Sequence, residues 1–293
     1  MRAHRAIPKS GSKGRAIGWS TLILAVTAAY LAVGLGTYAA WQISGNAAWI
    51  DDFFRVPGSL LMVSLSLVQV VFAWRVRGQF SRGEPLYAAW QLIALSAACD
   101  FVATLAIQIF SNLGSNSRSQ LVRQCGLTVG GPVRFALLAA GLLFALQVYR
   151  RSGFLGRLAA VDWVLLAGAV LYVMREFWDL WIALQHGKKP DWAEIANWPV
   201  DPLLCLLLAE AMLLHRSARR MGPGWVGRCW RAFSAGIVLV VLGNVSIWAA
   251  AYGYLPYPWS NIGWYVWLPA SAAFAIAPVY QMEVIQKAGG ERC

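Results

Sequence analysis

The 293-residue chain is 59% hydrophobic and only 13% charged, contains 16 tryptophans and carries a formal net charge of +12. Several of its apolar runs approach the roughly 20 residues that cross hydrocarbon as a helix, which excludes an ordinary soluble domain. The basic residues gather in alternate loops, a pattern that points to orientation in a bilayer and away from nucleic acid.

In chain order, a basic tail over residues 1–16 precedes a transmembrane domain over 17–285, and residues 286–293 form a second tail. The pattern predicts an all-α, polytopic integral membrane helix bundle of about eight transmembrane helices. They fall near 17–41, 56–74, 86–110, 130–149, 159–183, 200–215, 229–251 and 263–285. The apolar stretch from Trp19 to Trp41 is longer than the core of a secretory signal, so it reads as a retained span. Pro57, Pro85, Pro132 and Pro202 sit near expected amino ends, where a missing amide donor costs little, and Asp201 reads as an N-cap. Pro269 and Pro278 should shape or interrupt the last span. Trp19, Trp41, Trp49, Trp181, Trp198 and Trp259 near the expected span ends suit interfacial anchors.

The loops assign the two faces. Eighteen of the 25 basic residues lie in the amino-terminal tail, after the second, fourth and eighth spans, and around the sixth-to-seventh connection. Only Arg55, Arg118, Arg123, Lys188 and Lys189 lie in the opposite loops. Both termini are therefore expected in the cytoplasm of a plasma-membrane protein of the bacterial inner-membrane kind. The opposite loops "QISGNAAWIDDFFRV", "SNLGSNSRSQLVRQCG" and "HGKKPDWAEIANW" suit helices at the membrane surface or partner contacts.

Ionisable residues inside the apolar runs are the informative ones, because each must face a partner, the bundle interior or a watery cavity. "VLYVMREFWDLW" carries Arg175, Glu176 and Asp179 within roughly 100° of one helix face. At about 1.5 Å per residue, Arg175 lies roughly 24 Å from the inner boundary, Asp100 about 21 Å and Asn244 about 22 Å. Asp100 is therefore the expected partner of Arg175, and Arg134 that of Asp179. Glu176 remains as the extra carboxylate, the most costly to keep ionised without a cation nearby. Asp100, Thr104 and Gln108 recur every four residues, a stripe that either lines a path or bonds neighbouring helices, with packing favoured. Asp162 and Glu210 share an inner depth. They suit a shared proton or cation, or more simply a helix cap and a snorkelling contact to Arg216 or Arg219.

Other chemistries find little support. His4, His186 and His215 lie at different levels, and no zinc, haem, iron–sulfur, dinucleotide or triphosphate motif is present, so no cofactor or metal is predicted. Cys99, Cys125, Cys205, Cys229 and Cys293 offer no CxxC unit. No lysine lies within a span to form a retinal Schiff base. Two main readings remain: an accessory or scaffold subunit whose partners are the lipid bilayer and other membrane subunits, and a proton- or ion-coupled secondary transporter using Asp100, Arg175, Glu176 and Glu210. An intramembrane enzyme of unknown reaction is the minor alternative.

Overall fold

The computed structural model describes residues 18–46, 48–111, 117–155, 160–187, 198–221, 224–256, 259 and 262–290. The expected tail over 1–16 and most of the "HGKKPDWAEIANW" loop lie outside the described residues. The described residues are all helical or connecting: α1 (Trp19–Ser44), α2 (Ala48–Phe53), α3 (Ser59–Arg77), α4 (Pro85–Ser111), α5 (Ser117–Thr128), α6 (Arg134–Arg151), α7 (Ala160–Gln185), α8 (Val200–Arg220), α9 (Trp225–Ala251) and α10 (Ile262–Gly290). Each of the eight expected segments contains one long helix.

Among the described residues, six stretches are long and apolar enough to cross a membrane: Trp19–Ser44, Val56–Arg77, Pro85–Gln108, Gln124–Arg151, Val226–Ile247 and Tyr265–Gln286. They make the chain a multi-pass membrane protein. The two remaining long helices, α7 and α8, carry more ionisable residues. The first carries Asp162, Arg175, Glu176 and Asp179, the second Asp201, Glu210, Arg216, Arg219 and Arg220.

Neighbouring helices pack in a closed ring, α3–α4–α6–α8–α9–α10 and back to α3, while α1 leans on α10 and α7 on α8 from outside. Contacts at the ends show that successive long helices alternate in direction. Trp19 at the start of α1 meets Phe72 near the end of α3, and the Ser20 hydroxyl donates to Glu283 near the end of α10. Arg77 at the end of α3 donates to the Tyr87 hydroxyl of α4, with its guanidinium over the Tyr87 and Trp74 rings. The start of α9 meets the end of α6, where the Trp230 indole N–H donates to the Tyr149 hydroxyl at 2.6 Å.

The ring has a filled centre. Trp90 from α4, Trp230 and Phe233 from α9 and Phe274 from α10 are almost wholly buried and touch in sequence, with ring centroids about 6 Å apart. Close backbone approach supports the walls. A Cβ at Gly141 of α6 would lie 2.9 Å from Ile93 and 3.0 Å from the Ala89 carbonyl of α4, so only glycine permits this seam. At its carboxyl end, α1 stops at Gly45, whose left-handed φ of 71° lets its N–H return to the Trp41 carbonyl at 2.8 Å.

Three expectations change. Pro57 and Pro132 do not begin helices: each sits inside a short π-helical turn, Phe54–Gly58 or Val129–Val133, that joins α2 to α3 and α5 to α6 without a break. The wider turn accommodates the ring and the missing N–H, and carries the outer helices straight on from the spans. Asp201 is not a cap; α8 starts one residue earlier at Val200, behind Pro199, with Asp201 and Pro202 in the first turn. Finally, α10 runs unbroken through Pro269 and Pro278, and on through residue 290, past the expected start of the carboxyl-terminal tail.

Candidate functional site

The polar stripe of α4 is built by a four-residue repeat on one helix face, and it binds neighbouring helices in two directions. Asp100 accepts from the Arg134 guanidinium of α6 at 2.6 Å, with both side chains largely shielded from solvent. The Arg134 guanidinium also lies over the Phe135 and Phe274 rings, at 5.3 and 5.6 Å, so the ion pair is boxed in by apolar surface. One turn earlier on α4, the Ser96 hydroxyl donates to the Arg134 backbone carbonyl at 2.9 Å. Near the carboxyl end of α4, Gln108 accepts from the Ser59 hydroxyl at the start of α3. Thr104 sits half-buried between these two contacts. Ser96 extends the Asp100–Thr104–Gln108 spacing by one step, a signal present in the sequence and passed over there.

The expected pairing of Asp100 with Arg175 and of Arg134 with Asp179 is not formed. Arg134 and Asp100 take each other, and Arg175 lies 3.5 Å from Asp179 one turn along the same helix. The reason is where α7 packs. Among the described residues its main packing is against α8, which leaves its polar sector exposed rather than turned towards α4 or α6. Arg175 and Asp179 are instead 70% and 55% exposed, among the outward-facing Leu171, Met174, Trp178 and Trp181. The side chain of Glu176 lies outside the described residues. Asn244 is half-buried on α9 and takes no part in the Asp100–Arg134 pair.

At the opposite end of α7, Asp162 is buried and accepts from Arg216 of α8, tying the peripheral helix to the ring. The expected grouping of Asp162 with Glu210 is therefore replaced by an ion pair that uses the arginine once assigned to Glu210. Glu210 itself is 2% exposed, and neither of its carboxylate oxygens has a hydrogen-bond partner among the described residues. Nearby, the Ser234 hydroxyl of α9 bonds to the Ala211 and Trp230 carbonyls.

Around the candidate site, the described charges form two interhelical clamps, Asp100–Arg134 and Asp162–Arg216, and one exposed pair, with Glu210 buried and without a hydrogen-bond partner among the described residues. No group of three or more potential metal ligands converges among the described residues. No family model, curated protein or solved structure matches this chain. The helix contacts and buried charges alone must carry the functional argument.

Proposed function

We propose that the chain is an integral accessory or scaffold subunit of a larger membrane complex. In this reading it crosses a bacterial inner membrane eight times with both termini in the cytoplasm, and α7 is the face that meets other subunits. The observation that carries it is the exposure of Arg175 and Asp179 on a helix whose main packing, among the described residues, is against α8. In hydrocarbon such a polar pair is costly unless a neighbour covers it or it reaches an interface. The buried Asp100–Arg134 and Asp162–Arg216 pairs then fix helix register, a task for which stability is spent on specificity. The aromatic filling of the ring centre suits a packed support better than an open path.

The test is extraction from the native membrane in mild detergent, affinity purification and mass spectrometry, with the wild type beside Arg175→Leu. A stoichiometric set of partners that Arg175→Leu sheds while the chain itself stays folded supports the subunit reading. Recovery of the chain alone in every mild detergent sinks it.

One observation favours a second reading. The unpartnered Glu210 inside the bundle suits a proton- or ion-coupled transporter, with Asp100, Arg175 and Glu176 as further charges on its path. Flux in proteoliposomes under an ion gradient tests this, and unchanged flux in both Glu176→Gln and Glu210→Gln would remove it.

A further inference from the structure

Glu210 stands at the midpoint of α8, ten residues from either end of the helix, where no solvent reaches it. Its carboxylate has two orphan oxygens. The cation nearest along the helix, Arg216, is turned about 120° away around α8 and is bound to Asp162. Arg219 and Arg220 project from the exposed end of the helix.

Among the described residues, the helices packed against α8 supply no substitute. From α6, Arg134 is held by Asp100, and Tyr149 accepts from Trp230. From α7, Asp162 is held by Arg216, and the exposed Arg175 lies beside Asp179. From α9, Cys229 is a buried free thiol, and Arg228 is exposed at the first turn, next to Arg231. The π turn Val129–Val133, which also touches α8, has no ionisable residue. Among α8's own groups, Asp201 and Cys205 lie towards the outer end and His215 towards the inner end. None of these bonds to the Glu210 carboxylate among the described residues.

A bare carboxylate in such surroundings carries a penalty that a protein relieves by supplying a counter-charge, and none of the described residues bonds to it. We propose that Glu210 is the binding site of a single monovalent cation, a proton or an alkali ion, taken up inside the helix bundle. The site is a property of the chain itself and goes beyond the subunit reading, because it holds whether or not partners cover α7.

The experiment uses the full-length chain in detergent, with tryptophan fluorescence reporting the thermal midpoint of the wild type, Glu210→Gln and Glu210→Leu. One arm lowers pH in choline chloride, and the other replaces choline by sodium or potassium at fixed pH. An ion bound only by the folded chain stabilises it by mass action. Above its dissociation constant, each tenfold rise in ion concentration therefore raises the folded-to-unfolded ratio about tenfold. The expected result is a wild-type midpoint that rises relative to both variants in one arm. A rise on acidification assigns a proton, and a rise with sodium or potassium assigns an alkali ion. Leucine at this position removes the need for a counter-charge and keeps the test usable should glutamine fold poorly. Wild-type and variant midpoints that run parallel in both arms overturn the proposal.

Discussion

The Arg134 guanidinium lies 2.6 Å from the Asp100 carboxylate, joining α6 to α4 through an ion pair sealed by Phe135 and Phe274. Breaking such a pair from one side strands a charge, whereas neutralising both sides removes the problem. Asp100→Asn and Arg134→Met are each expected to cost on the order of 3 kcal/mol, and the double variant clearly less than their sum. A double-mutant cycle on detergent unfolding, followed by tryptophan fluorescence, measures the coupling. Strictly additive losses would mean that the pair contributes nothing as a pair.

The Asp162–Arg216 clamp predicts an asymmetry, because its aspartate is 2% exposed and its arginine 37% exposed. Arg216→Gln leaves a buried carboxylate behind. Asp162→Asn leaves an arginine long enough to turn towards water or headgroups. The arginine variant should therefore lose roughly 2 kcal/mol more stability than the aspartate variant. Equal losses from the two substitutions would contradict the burial difference on which this rests.

Two glycines on opposite kinds of surface make a paired prediction. Gly141 faces the Ala89 carbonyl and Ile93 of α4, while nothing approaches within 4 Å of a Cβ at Gly168 on α7. Gly141→Ala must push two backbones apart and is expected to destabilise by about 1–3 kcal/mol. Gly168→Ala meets no neighbour and improves helix propensity, so it should be neutral or stabilising by up to about 1 kcal/mol. Midpoints of thermal unfolding compare them directly; the reverse order would put the close seam on α7 instead.

Orientation is testable with single cysteines placed in a cysteine-free background at Gln79, between α3 and α4, and at the exposed Asn46, after α1. With both termini cytoplasmic, an impermeant maleimide labels the Asn46 position in intact cells. It reaches the Gln79 position only after the membrane is broken. Labelling of both in intact cells, or of Gln79 alone, would reverse or dismantle the proposed topology.

Much of the architecture was legible because a bilayer imposes a one-dimensional rule. A helical segment must be long enough and apolar enough, and a proline such as Pro85 marks where one begins. The four-residue rhythm of Asp100, Thr104 and Gln108 likewise announced a face that binds neighbours, and Ser59 and Arg134 are those neighbours. Pro57 and Pro132 misled for a local reason. A proline tolerated at a helix start is also tolerated in a π turn, and the two look alike in a string of letters.

Matching charges by depth failed at Arg175 because depth is only one of two coordinates. Asp100 and Arg175 share a level, yet the second coordinate, which helix stands beside which and how each is rotated, depends on packing contacts far apart in the chain. The close Gly141 seam sets α6 against α4, and the aromatic centre joins α4 to α9 and α10. With those places taken, α7 is left outside, its arginine and aspartate facing away from the ring. Sequence by itself determined the membrane character, the helical segments and the uneven distribution of basic loops, since these depend on local length, polarity and charge. Only the tertiary structure decided that Arg134 meets Asp100, that Arg216 meets Asp162, and that Glu210 is buried without a hydrogen-bond partner among the described residues. Those outcomes depend on helix rotation and adjacency, which no local property of the chain encodes.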